Sequence, residues 1–504
     1  MTNMTKSSEP KNVVIIGAGP VGLVIAWTLA RRKDLQGNPL YNVHVFERRP
    51  DPRTTRHADE AYSFNIMLSS RGIKTIREAG LLDSFVREGA ACKQLLFCIG
   101  GDDVKNGLFW EFDPVFGTGD HYIAMSRDTM MCTVLEEMET ISEKNIHVLF
   151  NASCNLFDFE NANIHVATNG VEKVYHYDLL IGADGARSRL RDAMCKHDYS
   201  IKASWEHVGM SGKTVRVSYK ELQKAGLWEH VVDKEGLPRA IFSFSADHSM
   251  SFIGTPDKSK DYTFTFAMNM PMKWDSFTDK EALRSHIIAC YPRLGEIAWK
   301  YLEPIWDRPA YRVLSAKSSQ FHLDGHNVML IGDAAHALPP TYGQGLNTSF
   351  EDVTVLNRLL DSYNDTKFDD VVTEFSKLRK PNADAISDLS YDMYGLFQNE
   401  PLAILQFVMD MTRHCIVSYL PIPEEWRRTM VVEDFVGTYV AHHTVDFQQL
   451  QKMQQRHFKI GCIILLMLLA ALISIMVKYL LPPQMTSWDS EHVSVYNVSK
   501  ALYF

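Results

Sequence analysis

The chain has 504 residues, 46% hydrophobic and 22% charged, and 52 Lys+Arg against 61 Asp+Glu leave a formal net charge of −9. That length allows roughly two to four structural units with an ample core, and the composition excludes wholesale disorder and collagen-like repeats. A mildly acidic chain with no basic run is a poor partner for nucleic acid, so none is expected.

The first eleven residues are polar and Ser/Thr-rich, and no secretory signal is readable in them. Asn12 to Ile16 (NVVII) is a β-branched run that reads as a buried parallel strand. GAGPVG follows at once and places Gly17, Gly19 and Gly22 in a G-x-G-x-x-G pattern, with a helical apolar stretch behind it. The first glycine permits the tight turn, the second lets backbone approach a pyrophosphate, and the third lets helix and strand pack closely. A second strand, Asn42 to Phe46, ends in Glu47 and Arg48, where a ribose-binding acid belongs. Strand, glycines, helix, strand and acid in that order predict dinucleotide binding. They do not separate FAD from NAD.

Further on, the strand Asp178 to Ile181 runs into Gly182-Ala183-Asp184-Gly185, and the strand Asn327 to Ile331 runs into Gly332-Asp333-Ala334-Ala335-His336. The loop Gly343-Gln344-Gly345-Leu346-Asn347 then precedes a helix. An acid after a buried strand suits a ribose or ribityl hydroxyl, and backbone at a helix start suits an electron-rich ring edge. Near the end, Ile460 to Val477 is apolar without a charge, long enough to cross a hydrocarbon core that takes about 20 residues. Lys452, Arg456 and Lys459 precede it. The positive-inside bias therefore keeps the bulk of the chain cytosolic on a single-pass C-terminal anchor. The eight cysteines are scattered with no CxxC pair, which fits a reducing compartment and argues against a disulfide scaffold.

The three glycine-and-acid stretches resemble the motifs of the group A flavin-dependent monooxygenases, the para-hydroxybenzoate hydroxylase superfamily, from Val13 to about Leu389. The resemblance implies non-covalent FAD, held by Gly17, Gly19, Gly22, Glu47, Arg48, Arg127, Asp184, Gly185, Asp333, Gly345, Leu346 and Asn347. Pro339, Gly343 and Gly345 would line the flavin ring. It also implies NAD(P)H as a transient co-substrate and oxygen insertion through a C4a-hydroperoxyflavin, so no protein nucleophile is required. His336 is read as a packing residue.

Within that superfamily, SFNIMLSSRG (Ser63 to Gly72), YIAMSR (Tyr122 to Arg127) and the stretch Pro381 to Ser390 resemble the kynurenine 3-monooxygenases, which also carry a C-terminal span. The amino-acid-binding positions differ. Alignment places Leu95 at the family's carboxylate-binding arginine, Phe116 near its tyrosine and Met393 at its asparagine. Leucine offers no donor to a carboxylate, although Lys93, two residues away, could take its place on the same strand face. The resemblance thus covers the scaffold and not the recognition set, and the replaced positions imply a different, more lipophilic or aromatic small-molecule substrate for this pocket. True kynurenine hydroxylation, and a flavin oxidoreductase without oxygen insertion, remain the alternatives.

The predicted fold is α/β. A discontinuous Rossmann-type FAD domain comprises 11–88, 121–192 and 318–389, and an inserted antiparallel sheet for substrate comprises 90–119 and 199–317. A helical region at 391–455 and a transmembrane helix at 460–481 follow. The membrane is expected to be the mitochondrial outer membrane or the endoplasmic reticulum.

Overall fold

The computed structural model describes residues 9–55, 65–99, 108–112, 121–141, 144–227, 231–232, 236–245, 247, 249–258, 261–268, 273–363, 365, 367–397, 400–419, 440 and 445–480. The chain divides into two compact units: residues 1–404 with 436–452, and residues 405–435 with 453–504.

In the first unit, Lys11–Ile16 is the spine of a six-stranded sheet. Its β-branched residues Val13, Val14 and Ile15 have no exposed surface, as a strand covered on both faces requires. It pairs in parallel with Leu179–Gly182 on one side and Tyr41–Phe46 on the other. Leu179–Gly182 pairs in parallel with Val328–Leu330, and Tyr41–Phe46 with Ile146–Leu149. The register matters most: Ile16 sits opposite both Gly182 and Phe46, and Gly182 opposite Leu330. The residues that follow these strands (Gly17, Glu47, Asp184 and Asp333) therefore emerge along one carboxyl edge, where open α/β sheets bind ligands.

A seven-stranded sheet stands apart from this one, in the order Tyr311–Ser318, Ala203–Val217, Tyr262–Met268, Met250–Pro256, Arg239–Phe244, Gln94–Ile99, Leu108–Phe112. It is antiparallel except that Arg239–Phe244 and Gln94–Ile99 run parallel. Gln94–Ile99 reaches the sheet from a distant part of the chain, so no tight hairpin dictates its direction. Alternation sorts the faces. Phe252, Phe264 and Phe266 pack with Tyr291 and Trp299 of the covering helical layer, while Ser251, Ile253, Thr265 and Ala267 point the other way.

Lys93 lies in the step between the strands Ala90–Cys92 and Gln94–Ile99 rather than within the second. Two helices run across predicted domain edges. Phe368–Phe397 continues through 390 with Pro381 inside it, and Phe447–Leu480 continues from 455 through 460 without a break. No Gly or Pro lies between Leu450 and Ile460 to interrupt the second. Its segment Phe447–Met476 is the one described helix long and apolar enough to cross a membrane, by virtue of an 18-residue window with mean hydropathy 2.6. Leu466, Met467, Leu472 and Ile473 are exposed along it.

Candidate functional site

A cavity of about 870 Å³ lies between the carboxyl edge of the six-stranded sheet and the open face of the seven-stranded one. The first wall brings together Gly17, Gly19, Glu47, Arg48, Arg127, Asp184, Gly185, Asp333, Gly343, Gly345, Leu346 and Asn347. The second contributes Met210, Phe242, Ile253, Ala267, Val313 and Leu314, with Ser251, Thr265 and Arg312 among them.

The glycine turn is held by sterics. Gly17 has φ +103, and a Cβ there would meet the Ala183 carbonyl oxygen at 2.4 Å. A Cβ on Gly22 would sit 2.0 Å from the Gly17 oxygen, so Gly22 serves close helix–strand packing and does not reach the cavity. Glu47 is buried and its carboxylate accepts from Ala18 N–H at 3.0 Å and Arg49 N–H at 2.9 Å. It therefore pins the turn as well as bordering the cavity.

Asp184 accepts from Arg189 N–H at 2.7 Å through Oδ2, while its buried Oδ1 has no protein partner. Burial pushes this carboxyl up, against the opposing hydrogen bonds from Ser188 and Arg189. Asp333 begins a short helix behind Gly332, deep in the molecule but exposed because it faces the open cavity. Burial likewise raises it, opposed by His336 and Arg127. An orphaned acceptor and a second cavity-facing carboxyl are what a polyhydroxylated ligand satisfies.

Gly343 is left-handed, with φ +64, and neither Gly343 nor Gly345 would bring a Cβ within 4 Å of another atom. They border empty space that a flat ring can occupy. Asn347 is wholly buried and holds this loop: it donates to Gly343 O at 2.9 Å and Met67 O at 3.0 Å, and accepts from Ser69 N–H at 2.9 Å. Its side chain is committed to the fold, which leaves the backbone N–H groups at the start of helix Gly345–Ser362 as the donors a ligand would meet here. The residues present fit FAD.

Several readings change. Pro339 is buried behind the wall, and Pro340, opening the short helical turn Pro340–Tyr342, lines the cavity in its place. Met393 does not line the cavity; it packs behind Met210 and Ala267 with Tyr394. Leu95 pairs through its backbone with Phe112 and Ala240, its side chain being outside the described residues. Phe116 also lies outside them.

His336 is buried and gives its ring nitrogen to Asp352, at 2.7 Å. Asp352 also accepts from Gly332 N–H at 3.0 Å and Arg379 Nε at 2.6 Å. Burial would raise Asp352, but His336 and Arg379 hold its carboxyl below the usual range. Sequence reading missed this pair, and it missed Gly72, Arg49 and Arg312. A Cβ on Gly72 would lie 2.5 Å from Asn347 Oδ1, and the Ser-Ser-Arg-Gly stretch was the available signal. Arg49 lines the cavity beside Arg48 and Arg127, and burial with those like charges lowers its pKa.

The sequence model of the FAD binding domain family matches residues 11–390. A kynurenine 3-monooxygenase of Legionella pneumophila (strain Corby) is 29% identical over 441 residues, 86% of this chain and 90% of that protein. A second, from Salinispora tropica, is 28% identical over 389 residues, 75% and 79% of the two chains. Among solved structures, 2-methyl-3-hydroxypyridine-5-carboxylic acid oxygenase superposes with TM-score 0.61 at 16% identity, over 78% of this chain and 93% of its own. CtdE in complex with FAD superposes with TM-score 0.58 at 15% identity, over 90% and 100%. With the family match spanning most of the chain and the acid-lined, glycine-bordered cavity to receive the cofactor, this chain belongs to the FAD binding domain family and is an FAD-dependent monooxygenase.

Proposed function

We propose that the chain is a membrane-anchored monooxygenase that uses NAD(P)H and O2 to hydroxylate or epoxidise an aromatic or lipophilic small molecule. The observation that carries this reading is the second cavity wall, where Met210, Phe242, Ile253, Ala267, Val313 and Leu314 present an apolar surface facing the FAD residues. Bound FAD supplies the redox chemistry and the activation of oxygen. The protein's part is binding, orientation and exclusion of water. Asp184 Oδ1 and the Asp333 carboxyl accept hydroxyl hydrogens, Gly343 and Gly345 admit a ring edge, and the helix start at Gly345 directs N–H groups toward it. The apolar wall keeps water from the place where oxygen is transferred.

The proposed layout follows from this. The six-stranded sheet and its loops form the FAD domain, discontinuous over 11–88, 121–192 and 318–389, and the seven-stranded sheet roofs the substrate. Helix Phe447–Leu480 is the anchor, with Lys452, Arg456 and Lys459 on its cytosolic side, in the endoplasmic reticulum or the mitochondrial outer membrane.

The second reading is kynurenine hydroxylation itself. Arg312 favours it, because this residue borders the same cavity and a guanidinium there could take a carboxylate bidentately. The test is NADPH and NADH oxidation by flavinated protein with and without L-kynurenine, with products weighed for one added oxygen. Indifference to kynurenine and turnover with a lipophilic aromatic support the proposal. Conversion to a hydroxykynurenine overturns it in favour of the second reading, and oxygen uptake without oxygen in any product reduces the chain to an oxidoreductase.

A further inference from the structure

The turn between strands Arg239–Phe244 and Met250–Pro256 meets the end of helix Lys280–Cys290, and the donor atoms of three metal-binding side chains converge there. His286 and Cys290 are four residues apart on that helix, so both face the turn. His286 Nε2 lies 3.6 Å from Cys290 Sγ, and Cys290 Sγ lies 4.0 Å from Asp247 Oδ1. The Ser249 hydroxyl completes the group, 3.0 Å from His286 Nε2, 3.7 Å from Cys290 Sγ and 2.8 Å from Asp247 Oδ1. A tetrahedral zinc ion with bonds of about 2.0–2.3 Å spaces its ligand atoms about 3.3–3.6 Å apart. The two Cys290 separations are close to that spacing, and all three donor atoms lie within 4.8 Å of one another, so side-chain adjustment brings the carboxylate and the imidazole onto a shared ion.

The arrangement does not suit a nucleophile. Asp247 receives hydrogen bonds from Ser245 Oγ at 2.6 Å and from Ser249 N–H at 3.1 Å, besides the Ser249 hydroxyl. It orients serines rather than the imidazole, which a Ser-His-Asp triad would require. The Cys290 thiol is buried, away from the exposure that a reactive cysteine needs. One nitrogen, one sulfur and one carboxylate oxygen are instead a mixed donor set of the kind zinc accepts. The serine contacts hold the carboxylate in place, as outer hydrogen bonds do at metal centres.

We propose that Asp247, His286 and Cys290 bind a zinc ion that ties the hairpin turn to the helix, with the Ser249 hydroxyl or a water as fourth ligand. Cys290 binds as thiolate, so uptake of the metal releases the thiol proton to solvent. The site lies on the sheet that carries the apolar cavity wall, and it is independent of the oxygenation chemistry proposed above.

Cobalt(II), added to the full-length flavinated protein in metal-free buffer, tests this. The expected result is one tight equivalent giving a thiolate-to-cobalt charge-transfer band in the difference spectrum, displaced by one equivalent of zinc. Cys290→Ser should abolish the band, and His286→Gln and Asp247→Asn should each lose stoichiometric binding, with flavin content reporting that each variant is folded. If a variant fails to hold flavin, the zinc content of the unaltered protein after dialysis is the second readout, with one zinc per chain expected and none overturning the assignment. The trio Glu160, His197 and His326, the first two exposed, offers no thiol and serves as the control. No band at stoichiometric cobalt, a band that survives Cys290→Ser, or binding lost only on His197→Ala would each overturn the assignment.

Discussion

Arg379 donates from Nε to the Asp352 carboxylate at 2.6 Å, and both side chains are buried. The same guanidinium reaches Glu351 at 3.0 Å, and the other Asp352 oxygen takes His336 and the Gly332 N–H. One buried ion pair thereby fixes the backbone from which Asp333 enters the cavity.

Breaking that pair from one side strands a charge in the core. Arg379→Leu should cost about 3–5 kcal/mol, read by chemical denaturation, and should lower flavin content. The pH dependence has a definite sign. Asp352 is held below its usual pKa, so its contribution is complete above the unfolded value of about 3.9 and is lost as pH falls through the lower folded value. The stability curves of the unaltered protein and Asp352→Asn should therefore converge in acid, below about pH 4.

Asp333 faces the cavity, with a pKa raised by burial, and is proposed to serve the ligand rather than the fold. Asp333→Ala should weaken FAD binding about 10–100-fold, the loss of one or two hydrogen bonds in a buried site. Unfolding of the apoprotein should change by no more than about 0.5 kcal/mol. Fluorescence titration of apoprotein with FAD and a denaturation curve decide this together.

Gly72 leaves room for Asn347. In Gly72→Ala the added Cβ would fall 2.5 Å from Asn347 Oδ1, displacing the side chain that holds the Gly343 loop. The overpacking should cost about 1–3 kcal/mol and release flavin on dialysis, although residue 72 lines no part of the cavity. Retained flavin at unchanged stability would disprove the role given to Asn347.

Arg312 discriminates the two substrate readings. If a carboxylated substrate is turned over, Arg312→Leu should raise its KM by about 30-fold or more, the loss of 2–5 kcal/mol for a buried carboxylate partner. For a substrate without a carboxylate the same variant should leave KM within about twofold. Steady-state kinetics on both substrate types give the answer.

The proposed anchor is tested by charge. Leu469→Arg puts a cation mid-way along the apolar part of the helix, at about 2.5–3.5 kcal/mol for insertion. Membrane fractionation should shift toward the soluble pool, with more loss for a double arginine variant.

Much of the nucleotide side of the molecule was legible locally. Val13 to Ile16 announces a strand buried on both faces, and Gly17 and Gly22 are required by contacts that a Cβ would violate at 2.4 and 2.0 Å. Such signals are short-range, steric or periodic, and need no knowledge of the rest of the chain. Asp184 and Asp333 were legible for a related reason: each follows its strand by a fixed few residues, and parallel register carries both to one edge.

What the chain's order of residues determined, then, was the set of strands, the glycine turns and the acids that end them, because backbone sterics and side-chain periodicity act within a few residues. Tertiary structure decided where side chains finish. It committed Asn347 to Met67, 280 positions away, bonded Glu47 to the turn, put Pro340 rather than Pro339 at the cavity and set Met393 behind Met210. It also matched Asp352 to Arg379 and brought Asp247 to His286 and Cys290. Those outcomes depend on the register and packing of segments far apart in the chain, and a contact across such a distance leaves no periodic trace at either end.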